Sequence, residues 1–266
     1  MSLHAGLDLP LATLALLVGV AFVAGWVDAV VGGGGLIQLP ALLIGLPAGT
    51  PPAAILGTNK LSSVWGTATS SLTYARRVPL DWRTVLPLAV GAALGSATGA
   101  QLAKLLPKDA FTPIVLAALI GVGLYTWRRP ELGLVTAMRH SGRAHYGRTA
   151  AIGLVIGVYD GFLGPGTGSF FVIALVGVLG YGFLEASAKA KIANVVTNLA
   201  ALAVFAVHGT ILWGLGLSMG AANLLGGYLG ARTAIARGNR FVRRVFLVVI
   251  AALALKLAYD IVAGWV

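Results

Sequence analysis

Asp28-Ala-Val-Val-Gly32-Gly-Gly-Gly35 and Asp160-Gly-Phe-Leu-Gly164-Pro-Gly-Thr167-Gly168 are two versions of one pattern: an aspartate near the end of an apolar run, then a glycine-rich break. They lie 132 residues apart, and the likeness continues downstream at an offset of 131, pairing Lys60 with Lys191, Trp82 with Trp213, Gly95 with Gly226 and Gly99 with Gly230. The chain is therefore an internal repeat. Glycine interrupts a helical ladder and proline lacks a donor, so each break predicts that the helix unwinds and restarts, leaving free backbone N–H groups at the new N-terminus.

Around these breaks the 266 residues are 58% hydrophobic and only 10% charged, with a mean hydropathy of +0.90. That is too little polar surface to coat a soluble globule. Apolar stretches long enough to span a bilayer fall near 11 to 31, 53 to 74, 84 to 106, 110 to 127, 186 to 207, 211 to 231 and 242 to 263. Shorter ones, at 35 to 46, 148 to 163 and 169 to 183, read as half-helices or broken helices. The expected fold is an all-α polytopic membrane protein. Counting the short segments, each half holds five elements, and an odd number makes the second copy enter from the opposite face. The repeats are then inverted: 1 to 127, a basic linker from 128 to 147, and 148 to 266.

The formal charge of +11 suggests nucleic acid in a soluble chain, but here it reports orientation. All 13 arginines fall in three connections, at Arg76 to Arg83, Arg128 to Arg148 and Arg232 to Arg244. Those connections are expected in the cytoplasm and both termini outside. Met1 to Pro10 holds no Lys or Arg, so the first segment reads as mature structure rather than a secretory leader. Inverted repeats with paired, glycine-interrupted short segments are the sequence pointer to a carrier whose site lies near the midplane.

Two restarting helices that converge from opposite faces make an anion cage of dipoles and amides, which assigns substrate contact to Gly32, Gly33, Gly34 and Gly35 and to Gly164, Gly166, Thr167 and Gly168. Lys60, after Thr58 and Asn59, and Lys191 are cations early in long apolar segments, where they either snorkel to a headgroup or serve the site. A lysine at the bilayer centre costs about 2.5–3.5 kcal/mol and persists where it reaches water, a partner or a substrate. Each lysine heads a stripe at i+3 and i+7, namely Ser63 and Thr67 in one half and Asn194 and Asn198 in the other. Hydroxyl and amide donors beside an ammonium suit an oxyanion, while Thr67 reads best as an interhelical hydrogen-bond group. Asp28 and Asp160 have three open roles: proton coupling, capping the break, or pairing with a lysine. Gly91, Gly95 and Gly99, at four-residue spacing, read as a close-packing face.

The combination of Gly25-Trp-Val-Asp-Ala-Val-Val-Gly-Gly-Gly-Gly, Leu56-Gly-Thr-Asn-Lys60, Gly164-Pro-Gly-Thr-Gly168, Ala190-Lys-Ile-Ala-Asn194 and Thr197-Asn198 resembles the TauE/SafE (TSUP) family of sulfite exporters. The resemblance implies an inner-membrane carrier that moves sulfur-containing anions such as sulfite or organosulfonates, mostly outward. It places the family's motifs on Gly32 to Gly35, Asn59, Lys60, Gly164, Gly166, Gly168, Lys191 and Asn194. A small-anion channel is the alternative reading. An enzyme with Ser169 as nucleophile lacks a suitable base in the sequence, and with no cysteine and no recognisable histidine spacing neither a metal nor a cofactor is expected. The expected partners are the anion, a coupling ion such as the proton, the bilayer and, from the glycine-rich outer face, a second copy of the chain.

Overall fold

A computed structural model describes residues 9–47, 49–102, 128, 133–207 and 211–262. Among them the regular structure is all helical: α1 Leu11–Val31, α2 Gly35–Gly45, α3 Pro52–Ala75, α4 Trp82–Leu102, α5 Gly142–Phe162, α6 Thr167–Ala174 running into a π-helical turn Leu175–Leu179, α7 Phe183–Val207 and α8 Trp213–Val262. Advancing α1 by 131 residues reproduces both ends of α5, and the same shift maps the first residues of α3 and α4 onto those of α7 and α8. By length and hydropathy α1, α4 and α7 each suffice to cross a bilayer.

One element differs from the sequence reading. The stretch from 148 to 163 is not a short segment but the apolar part of the 21-residue α5, which starts at Gly142 inside the basic connection. Arginine is a good helix former, so Arg143 and Arg148 extend the helix where hydropathy alone ends it. The stretches at 211 to 231 and 242 to 263 are two helices, as read, that abut at Gly238, where φ 69° and ψ −169° leave helical geometry for a region open essentially to glycine; α8 denotes the two together. The stretch at 110 to 127 and His208 lie outside the described residues.

The halves interlock by exchange. The first helix of each half packs along the fourth of the other, α1 against α8 and α4 against α5, while α3 and α7 run side by side through the centre. Thr58, early in α3, accepts a hydrogen bond from the amide of Leu212 just beyond α7. Midway along, Asn198 donates to Thr67, its own counterpart in the other repeat. The two helices are thus antiparallel, and the topology of the repeats is inverted about a pseudo-twofold axis through that contact.

Glycine sets the closeness of the outer pairs. A methyl group at Gly95 or Gly99 would strike the carbonyl oxygen of Leu154 or Val158, and one at Gly226 or Gly230 that of Phe22 or Trp26, the symmetry-related atoms. Without a hydrophobic force between helices in lipid, such backbone proximity is what gains van der Waals contact. These glycines are used inside the chain, while Val90 and Leu94 of α4 face outward. Gly95→Val and Gly226→Val are therefore each expected to destabilise by on the order of 3 kcal/mol, as overpacking against backbone that has no rotamer to shift. Thermal unfolding in detergent checks this, with Leu94→Ala as the lipid-facing control that leaves the midpoint in place.

Candidate functional site

The two breaks meet at the middle of the bundle. α1 ends on Gly32 at φ 86°, and α5 is followed by Gly164 at φ 88° and Gly166 at φ 79°, all left-handed and closed to other residues without strain. Gly32 and Gly168 touch backbone to backbone, so that a side chain at either would overlap the other segment. Across this crossing the amide of Ser169 donates to the Gly32 carbonyl at 3.1 Å. The Ser169 hydroxyl donates to the Val31 carbonyl at 2.8 Å. Ser169 thus satisfies an orphan carbonyl at the end of α1, a splice between repeats.

Both aspartates pair with a lysine of the opposite repeat. Lys60 Nζ lies 2.6 Å from Asp160 Oδ2, and Lys191 Nζ lies 2.8 Å from Asp28 Oδ2 while also donating to the Asp28 carbonyl. Snorkelling is excluded for both lysines, since each is almost wholly buried in the bundle. Of the roles open to the aspartates, pairing is the one the structure displays. Ser96 of α4 adds a contact to Asp160 Oδ2 at 3.2 Å and donates to the Thr197 carbonyl at 2.9 Å.

Between the breaks lies a polar cavity of about 20 Å³. Its lining follows the pseudo-twofold in pairs: Asp28 with Asp160, Gly32 with Gly164, Gly35 with Thr167, Ser63 with Asn194 and Thr67 with Asn198, to which Asn59, Lys60, Gly166 and Gly168 add. Asn59 spends its oxygen on Gln38, which donates to it at 2.9 Å, and so keeps both Nδ2 hydrogens for the cavity. Among the described residues, the side-chain amide of Asn194, the hydroxyl of Ser63 and the backbone N–H groups of Gly35, Thr167 and Gly168 also have no partner. Unpaired donors around an ammonium are the environment of an oxyanion.

Four residues expected in the site are elsewhere. Gly33 and Gly34 are in the break but do not line the cavity, and Gly34 packs on the carbonyl of Ala24 and Cβ of Asp28. Thr58 latches the connection after α7. Lys191 stands behind Asp28, which covers it. Ser96, Gln38 and Asn223 were not expected, although each is an isolated polar residue in an apolar helix and so a candidate by that signal alone. Gln38 Oε1 accepts from Asn223 at 3.0 Å and Ser62 at 3.3 Å, which makes it the hub that fixes Asn59. Lys189, buried near the arginine-rich end, lies 4.1 Å over the ring of Tyr181 and 3.9 Å from Glu185, away from the cavity.

Residues 17–257 match the family described as "Sulfite exporter TauE/SafE". The chain belongs to this family. Among its relatives are a "Probable membrane transporter protein ORF9" of Sinorhizobium sp, 40% identical over 95% of each chain, and a "Probable membrane transporter protein" of Haemophilus influenzae, 36% identical over 97% of this chain and 99% of the relative. The "Probable membrane transporter protein YfcA" of Escherichia coli K12 is 33% identical over 93% of this chain and 90% of the relative. No solved structure matches. A TauE/SafE member built this way is an integral membrane protein and a membrane transporter, and the crossed ion pairs and donor-lined cavity belong to that setting.

Removing one partner of a buried pair strands the other charge. Lys60→Met is expected to lower stability by about 3–5 kcal/mol, and Lys60→Met with Asp160→Leu to recover most of that loss. A double-mutant cycle on thermal unfolding in detergent measures the coupling; additive losses would contradict the pairing.

Proposed function

We propose that the chain is a secondary carrier of a small sulfur-containing anion, such as sulfite or an organosulfonate, across a bacterial inner membrane. The observation that carries this reading is the convergence of unpaired donors from both repeats, with Lys60, on one cavity at the pseudo-twofold axis. A sulfonate or sulfite group presents three oxygens on a pyramid or tetrahedron, which amides from two breaks and an ammonium contact from several directions. Family membership supports the sulfur oxyanion and, with it, outward transport, and the positive-inside rule puts the arginine-rich end in the cytoplasm.

The size of the cavity supports alternating access. About 20 Å³ holds about one water molecule. An anion of four or more heavy atoms enters only when the repeats move apart, and movement of one repeat against the other opens the site to alternate faces. A channel reading requires a continuous pore through the same place.

The test is uptake of radiolabelled sulfite, taurine and sulfate into proteoliposomes. The expected outcome is saturable flux with counterflow for sulfite or taurine. Lys60→Ala with Lys191→Ala, shown by size-exclusion chromatography to be folded, lowers it by about 10- to 100-fold, the worth of one charge-assisted hydrogen bond. Large unitary currents in planar bilayers would establish the channel, and flux that survives both substitutions would remove the site.

A further inference from the structure

Gln38 on α2, Asn59 on α3 and Asn223 on α8 form a buried chain of amides. Each amide has a donor end and an acceptor end, so the direction of one fixes the direction of the next. Backbone carbonyls, which only accept, anchor this chain at both ends. Asn223 Nδ2 donates to the Ala21 carbonyl and to Gln38 Oε1, each at 3.0 Å. Gln38 Nε2 donates to Asn59 Oδ1 at 2.9 Å and to the Asn59 carbonyl at 3.4 Å. Turning the Gln38 amide over would set its oxygen against both oxygens of Asn59 and its NH2 against that of Asn223. The Ser62 hydroxyl, 3.3 Å from Gln38 Oε1, rotates to suit either arrangement and so decides nothing.

Direction thus passes from the Ala21 carbonyl on α1, through Asn223 and Gln38, to Asn59, whose Oδ1 is taken and whose Nδ2 is left for the cavity. Gly66 leaves room for it, since a Cβ there would overlap Asn223 Oδ1. The second repeat has no such chain: Phe170, Ala190 and Ala92 stand at the positions of Gln38, Asn59 and Asn223. The scaffold that the two repeats share therefore forms without it. What the chain adds to the first repeat is a fixed polarity at Asn59.

We propose that Gln38 and Asn223 are positioning residues of the anion site. Neither lines the cavity, and together they hold Asn59 with its donor end toward the anion. The inference rests on the anion-carrier reading above. A reversed Asn59 amide would face the anion with its oxygen, turning a charge-assisted hydrogen bond into a repulsive contact. The relay excludes that arrangement.

Two measurements on the full-length protein in lipid nanodiscs test the proposal. The first is binding of methanesulfonate, whose three oxygens stay deprotonated throughout the pH range used. Gln38→Met, similar in shape but without a donor or a strong acceptor, frees Asn59 to turn and is expected to weaken binding by about tenfold, the worth of one hydrogen bond. Gln38→Glu separates direction from packing. Its protonated carboxyl donates to Asn59 Oδ1 as the native amide does, while its ionised form only accepts and draws Asn59 Nδ2 away from the cavity. Affinity in Gln38→Glu, relative to the unaltered protein at each pH, should follow the infrared C=O band of the introduced carboxyl. It is expected to be unchanged where the band is complete and about tenfold lower where the band is lost. Undiminished affinity in Gln38→Met, or affinity in Gln38→Glu that does not follow the band, overturns the proposal.

The second measurement is exchange of side-chain amide protons with water, read by NMR on isotope-labelled asparagine and glutamine, and it needs no anion. In the unaltered protein the Gln38 and Asn223 protons, all hydrogen-bonded, are expected to exchange more slowly than those of Asn59 by about tenfold or more. In Gln38→Glu the Asn59 protons should become protected as the carboxyl ionises, whereas charge repulsion alone would weaken anion binding and leave them open to water. Exchange at Gln38 as fast as at Asn59, or Asn59 protons that stay open on ionisation, overturns the proposal. Absence of methanesulfonate and sulfite binding to the unaltered protein refutes the anion reading instead, and the order of exchange then decides the relay by itself.

Discussion

Two lysine–aspartate pairs, each joining one repeat to the other, govern this structure because ammonium groups buried this deeply require a partner. Lys60 on α3 reaches Asp160 beside the second break, and Lys191 on α7 reaches Asp28 beside the first. The exchange holds both breaks over the centre of the bundle, where α3 and α7 cross at Thr67 and Asn198. It also makes the empty site electrically neutral. A motion of one repeat against the other that separates a lysine from its aspartate leaves a buried charge without its partner.

Backbone proximity is the second requirement, and glycine meets it in two ways. At Gly32, Gly164 and Gly166 the chain turns through left-handed conformations that end one helix and start the next. At Gly95, Gly99, Gly226 and Gly230 the residues are ordinary helix, and the missing side chain lets a carbonyl of the neighbouring helix approach. The rigid outer pairs α1–α8 and α4–α5 thereby frame the short helices α2 and α6, whose N-termini look onto the cavity.

The scaffold is symmetric while its polar lining is not. Gln38, Asn59, Ser62 and Asn223 form a hydrogen-bonded group in one half, and the equivalent positions Phe170, Ala190, Ala193 and Ala92 are apolar. Ser96 opposes Gly227 in the same manner. An inverted repeat with identical linings would present equivalent sites to both faces of the membrane. These differences give the two halves of the cavity different chemistry.

The amino-acid sequence by itself determined the helical membrane class, the repeat and its inversion, because hydropathy, the 131-residue offset and arginine placement act locally and can be counted. It also located most of the cavity: Gly32, Gly35, Asn59, Lys60, Ser63, Gly166, Gly168 and Asn194 all line it, since glycine runs and buried cations in apolar segments are costly enough to be conspicuous. Only the tertiary structure decided which aspartate meets which lysine, that Lys191 is covered while Lys60 faces the cavity, and that Ser96 rather than any loop residue adjoins Asp160. Those contacts join residues about 60 to 160 positions apart. Chain position carries no record of such distances, because they arise when backbones close over glycine and each buried charge settles on the partner that the packed helices bring to it.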